Sequence, residues 1–152
     1  MKKLVALIVG LLIGSTGYTQ ILKPVKWSYA AKRTSATEAV VLVKATIDKG
    51  WHIYSQHTGE GPVATAFTFT PTKAYSLVGK TSEPKPITKF EKAFSSNVSY
   101  FENTVVFQQK VKLKTPGAAN IKGSLEFMVC NASKCLPPDE VVFNIPVKAL
   151  GK

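Results

Sequence analysis

Apolar side chains return at every second position along most of this chain, and no long stretch keeps the three-to-four spacing of a helix. A strand turns successive side chains to opposite faces, so this period fits sheets with one buried face. Val25, Trp27 and Tyr29 alternate with polar residues. Val105, Phe107, Val111 and Leu113 share one face while Lys110 and Lys112 take the other. Ile121, Leu125, Phe127 and Val129 repeat the pattern, as do Val141, Phe143, Ile145 and Val147. Residues 39–47 (AVVLVKATI) are β-branched and nearly continuous, as a central strand is. In the run WHIY at 51–54, Trp51 and Ile53 point one way and His52 and Tyr54 the other. About seven or eight short strands predict an all-β fold, an immunoglobulin-like antiparallel β-sandwich, with a small barrel as the main rival. A length of 152 residues with 45% apolar content suits one domain with a buried core. Residues 79–97 break the rhythm with Pro84, Pro86 and scattered lysines, which predicts a long loop carrying Phe90 and Phe94.

The first residues read as an address. Met1, Lys2 and Lys3 supply a positive start, the run LVALIVGLLI at 4–13 is apolar, and small or polar residues follow. That layout predicts a signal peptide over 1–19, cleaved near Thr19, and a secreted, periplasmic domain over 20–152. The apolar run is too short to cross a bilayer, so no membrane span is expected after cleavage. Losing Lys2 and Lys3 lowers the formal charge from +11 to +9. Such a charge suits an anionic partner in principle. Arg33 is the single arginine, however, and the lysines are scattered, so no nucleic-acid partner is expected. No serine–histidine–aspartate set, phosphate-binding glycine loop or carboxylate pair stands out, which argues against a hydrolase.

Cys130 and Cys135 are the two cysteines, separated by Asn131-Ala132-Ser133-Lys134 and followed by Leu136-Pro137-Pro138. By parity Cys130 points away from the face of Phe127 and Val129, out of the core. Two cysteines bracketing a hairpin loop can bond across it if their α-carbons come within about 7 Å. Closing so short a loop stabilises a fold by only about 2 kcal/mol. A short, exposed pair suits electron exchange, and Lys134 beside Cys135 favours its thiolate. A structural hairpin disulfide in a non-enzymatic binding module of the cell envelope is the alternative. A two-cysteine, two-histidine metal set with His52 and His57 can also be written, but positions five apart on a strand face opposite sides. Neither a metal nor any other cofactor is expected.

Three pieces together resemble the N-terminal periplasmic domain of the bacterial thiol:disulfide interchange protein DsbD. They are Gly50-Trp51-His52-Ile53-Tyr54-Ser55-Gln56, then Val98-Ser99-Tyr100-Phe101, and the cysteine loop with its following prolines. Order and separation agree over nearly the whole mature chain. The resemblance implies an immunoglobulin-like sandwich that relays reducing equivalents between thioredoxin-like proteins and disulfide isomerases through transient mixed disulfides, a protein-disulfide reductase type of activity. It implies that Cys135 bonds to partners and Cys130 resolves, with His52 and Tyr54 flanking the pair. It further implies a cap loop shielding the cysteines, in which Phe94 is the cap residue, Phe90 the reserve and Glu91 a nearby carboxylate. Standing alone, such a domain is expected to take its electrons from a donor in trans.

Overall fold

A computed structural model describes residues 22–149, so the expected signal peptide and its cleavage site lie outside the described residues. Eleven strands follow one another, and among the described residues there is no helix. They are β1 (Val25–Arg33), β2 (Glu38–Ile47), β3 (Trp51–Tyr54), β4 (Ala66–Phe69), β5 (Tyr75–Ser82) and β6 (Ile87–Glu91). β7 (Ser96–Glu102), β8 (Thr104–Leu113), β9 (Ala119–Phe127), β10 (Val129–Asn131) and β11 (Asp139–Val147) complete the series.

Every named pairing is antiparallel. One layer is the sheet β1-β2-β8-β5; the other consists of β10-β3-β7-β6 and β11-β9-β4. The last two sheets continue each other, because only Met128 separates β9 from β10. Alternating apolar residues from all three sheets meet in one core: Val41, Val43, Val105, Phe107 and Val111 from the first, Leu125, Phe143 and Ile145 from the third, Ile53, Phe101 and Val129 from the second. Phe107 is fully buried at its centre, with its ring 5.1 Å from that of Phe67 and 5.9 Å from that of Phe101. This is the sandwich that the alternation predicts.

The lone arginine works locally. Arg33 donates to the carbonyls of Ala36, Gly117 and Lys148, tying two loops and the segment after β11 at one end of the sandwich. The lysines at 110 and 112 point outward, as their parity requires.

Residues 79–97 differ from expectation. They form the end of β5, all of β6 and the start of β7 rather than a loop. Pro84 and Pro86 fall in the link before β6, which then pairs with β7 from Ile87↔Tyr100 to Glu91↔Ser96. β6 is an edge strand whose residues are exposed on both faces apart from Glu91, so it lacks the apolar alternation by which a half-buried strand is read.

Candidate functional site: a disulfide floored by aromatic side chains

β10 places the first cysteine. Phe127 and Val129 enter the main core, so Cys130, one position on, faces the other way, as parity predicts. It is not exposed there, however: Cys130 is only 2% accessible, buried in a second, smaller cluster with Tyr54, Val98 and Tyr100. Asn131 then turns the chain. Its side-chain carbonyl accepts from the amides of Ser133 (2.8 Å) and Lys134 (2.9 Å), and its own amide donates to the Lys134 carbonyl. The Leu136 amide donates back to the Val129 carbonyl, so Cys130 and Cys135 face each other with α-carbons 4.0 Å apart and are disulfide-bonded. Cys135 is exposed, as is Lys134 beside it. The two sulfurs therefore belong to residues in unlike surroundings.

The neighbours of Cys130 come from strand register. Residues directly opposite in a sheet share a face, and Cys130 pairs with His52, which pairs in turn with Glu102. Tyr54 pairs with Tyr100 one step along. The His52 ring lies 4.7 Å from that of Tyr100 and edge-on to that of Tyr54 at 5.3 Å, with Nε2 3.3 Å from the Tyr54 hydroxyl. Burial pushes the Tyr54 hydroxyl up to about 12, helped by the carboxylate of Glu91. Burial likewise lowers His52 below the ordinary histidine range, against the opposing pull of Glu91 and Glu102. Both side chains are thus neutral near pH 7.

The β6–β7 hairpin contributes the cover. The Phe94 amide donates to the Glu91 carbonyl in the turn, and Ser95 takes the left-handed conformation (φ 52°) that reverses the chain. The Phe94 ring packs on the cluster, edge-on to Tyr54 at 6.1 Å. Its other neighbour is Gly61, at φ 112°, where any side-chain carbon would collide with the Phe94 ring. The loop at 55–65 bearing Gly61 is pinned by Glu83, whose carboxylate accepts from the Ser55 hydroxyl and from the Gln56 amide. The Thr65 hydroxyl donates to the Tyr54 carbonyl at the loop's far end. Ser55 and Gln56, part of the motif read from sequence, are therefore anchors.

The structure gathers Cys130, Cys135, His52, Tyr54 and Phe94 in one place. Glu91 shares the cysteine-side face of β6 with Lys89, 3.9 Å away, and its charge reaches His52, Tyr54 and Tyr100. Phe90 lies on the opposite face and is 56% exposed. His57 sits exposed in the loop, outside the cluster that holds Cys130. Sequence reasoning passed over Val98, Tyr100 and Glu102 as site residues, although their spacing of two puts all three on one face of β7. Met128 and Gly61 carry no local signal. A cavity of about 690 Å³ lies next to the site between β1 and the start of β11. Its walls include Trp27, Phe127, Val129, Leu136 and Pro137, the last two directly following Cys135.

A family profile described as "Thiol:disulfide interchange protein DsbD, N-terminal" matches residues 19–146. Among solved structures, the N-terminal periplasmic domain of ScsB from Proteus mirabilis superposes with a TM-score of 0.62 at 20% identity, over 81% of this chain and 46% of that one. This chain therefore spans less than half of that relative. The DsbD N-terminal domain of Neisseria meningitidis in its reduced form superposes with a TM-score of 0.54 at 18% identity, over 80% of this chain and 86% of that one. No curated protein sequence matches the chain. At such identities the superpositions establish the fold, while the profile covers most of the sequence. The chain belongs to the DsbD N-terminal domain family.

Proposed function

We propose that this protein is a periplasmic thiol–disulfide exchange domain that relays reducing equivalents between thioredoxin-like proteins through Cys130 and Cys135. The observation that carries this reading is the asymmetry of the pair, one sulfur-bearing residue exposed on a turn and the other buried among aromatic rings. Exchange needs one accessible sulfur, which that arrangement supplies at Cys135. A visiting thiolate attacks one accessible sulfur in line with the bond, and the other sulfur leaves but stays tethered.

In the accepting direction, a donor's thiolate attacks Cys135, the Cys130–Cys135 bond breaks, and Cys130 departs with the electron pair and is protonated. The donor's second thiol then displaces Cys135, and the protein holds two thiols while the donor holds a disulfide. In the delivering direction Cys135, as thiolate, attacks an acceptor's disulfide; Cys130 then displaces the acceptor and restores the internal bond. Exposed Lys134 next to Cys135 favours the attacking thiolate. Phe94, seated on the cluster from the hairpin tip, screens the pair from small thiols and swings out when a partner docks. Proteins that carry their own reactive cysteines complete this chemistry with no bound cofactor.

Mixing reduced Cys130→Ala protein with an oxidised thioredoxin-like protein tests the reading. It predicts a covalent one-to-one adduct through Cys135 that a dithiol releases. If no adduct forms, or if it forms only after unfolding, the relay reading fails and the disulfide is a brace.

A further inference from the structure

The geometry points to His52 as the general base that takes the proton from Cys130 when this protein delivers its electrons. The inference deepens the relay reading and rests on it.

The step that needs help is the second one. Once Cys135 is bonded to an acceptor, Cys130 must attack as a thiolate. Yet Cys130 is 2% accessible and packed among Tyr54, Val98 and Tyr100. Apolar surroundings hold a thiol protonated, and a thiol is a poor nucleophile. A proton acceptor must therefore stand beside it.

Few groups qualify. Tyr54 and Tyr100 are phenols that burial keeps protonated. Lys89 and Glu91 lie on β6, beyond β7, and Glu102 is one strand beyond His52. His52 is directly opposite Cys130 in the β3–β10 pair and on the same face, where β-carbons stand about 4.5–5.5 Å apart. In the tautomer whose Nε2–H donates to the Tyr54 oxygen, Nδ1 carries the lone pair that can take a proton. Cys130, His52 and Glu102 thus form a row of thiol, imidazole and carboxylate across three strands. Burial keeps the imidazole unprotonated at neutral pH, the state a base must be in. Glu91 and Glu102 favour the imidazolium once it forms, and Lys89 opposes it.

The step balances. The Cys130 proton passes to His52, the Cys130 sulfur attacks the Cys135 sulfur, and the bond from Cys135 to the acceptor breaks. The acceptor's sulfur leaves with the electron pair and takes the proton from the imidazolium. The acceptor gains two electrons and this protein loses two.

Reaction of the reduced protein with dithiobis(nitrobenzoate), a small aromatic disulfide that releases a coloured thiolate, separates the two steps. The first equivalent reports attack by Cys135, and so the relay reading; the second reports closure by Cys130. The inference predicts that His52→Gln and His52→Phe leave the first phase intact and slow the second at least about tenfold near pH 7. In the variants the second rate should climb with pH as the thiol ionises, whereas the unaltered protein should stay flat from about pH 7 to about 9 and slow on the acid side. An unchanged second phase in folded variants overturns the role of His52 alone. So does a rate in the unaltered protein that climbs steadily through about pH 9, a result that depends on no variant. A missing first phase overturns both readings.

Discussion

The sheet β10-β3-β7-β6 is covered on both sides by residues of very different kinds. Toward the main core it presents Ile53, Phe101 and Val129, side chains with nothing to do but pack. Toward the cysteines it presents His52, Tyr54, Tyr100 and Cys130, each with a polar or reactive atom, around the buried Val98 and beneath a single ring from a hairpin tip. The first face is one wall of a core that all three sheets share; the second is covered by the Phe94 ring, against which the Gly61 loop packs. The same three short strands thus pack the main core with one face and, in the proposed relay, frame the cysteine pair with the other. Alternation within a strand separates the roles so cleanly that neighbours in sequence, Ile53 and Tyr54 or Phe101 and Tyr100, work in different clusters.

That contrast breaks first, if it is wrong, at Phe107. Removing this fully buried ring in Phe107→Ala should cost about 3–5 kcal/mol in a denaturant titration, because the sandwich cannot collapse around the hole. Replacing both cysteines by alanine should cost about 2 kcal/mol and leave the cooperative transition intact, since the bond closes only a short loop. A larger loss from the cysteine pair than from Phe107 would show the disulfide to be the brace.

The seat of Phe94 bears on the comparison through rates. Gly61→Ala places a carbon where the Phe94 ring lies, so it should unseat the ring and speed reduction of the disulfide by a small thiol. Phe94→Ala should do the same with a stability loss of about 1 kcal/mol. Equal reduction rates in both variants and the unaltered protein would remove Phe94 from the mechanism.

The smallest effects concern pH. The folded value of His52 lies below the unfolded one, so the unfolded chain binds more protons between them; stability held above about 6.5 is lost as pH falls through that window. Tyr54 is shifted upward, from 10.0 to about 12, so the folded chain binds more protons there and stability falls as pH rises across that interval. His52→Gln should flatten the acid limb and Tyr54→Phe the alkaline one, each by a fraction of the whole slope.

Legibility in the sequence followed the same division. Strands with one face in the main core, such as β8 with Val105, Phe107, Val111 and Leu113, announce themselves by alternation. β6 does not, since an exposed edge strand needs no apolar period. The direction of Cys130 follows from counting back to Phe127 and Val129. Its burial does not, because the cover comes from β7 and from the β6–β7 hairpin tip, brought close only by the tertiary fold. Position within a resembling family points to Phe94; its seat against Gly61, from a loop more than thirty positions away, has no local signal.

The central claim is that the pair opens and closes in the folded protein. A redox titration of the native protein in glutathione buffers, with thiols counted by mass spectrometry, tests it most directly. The account predicts a reversible two-electron transition with a midpoint above about −300 mV, where labile disulfides lie. A pair that stays oxidised throughout the titration, and yields only once denaturant unfolds the sandwich, would contradict it.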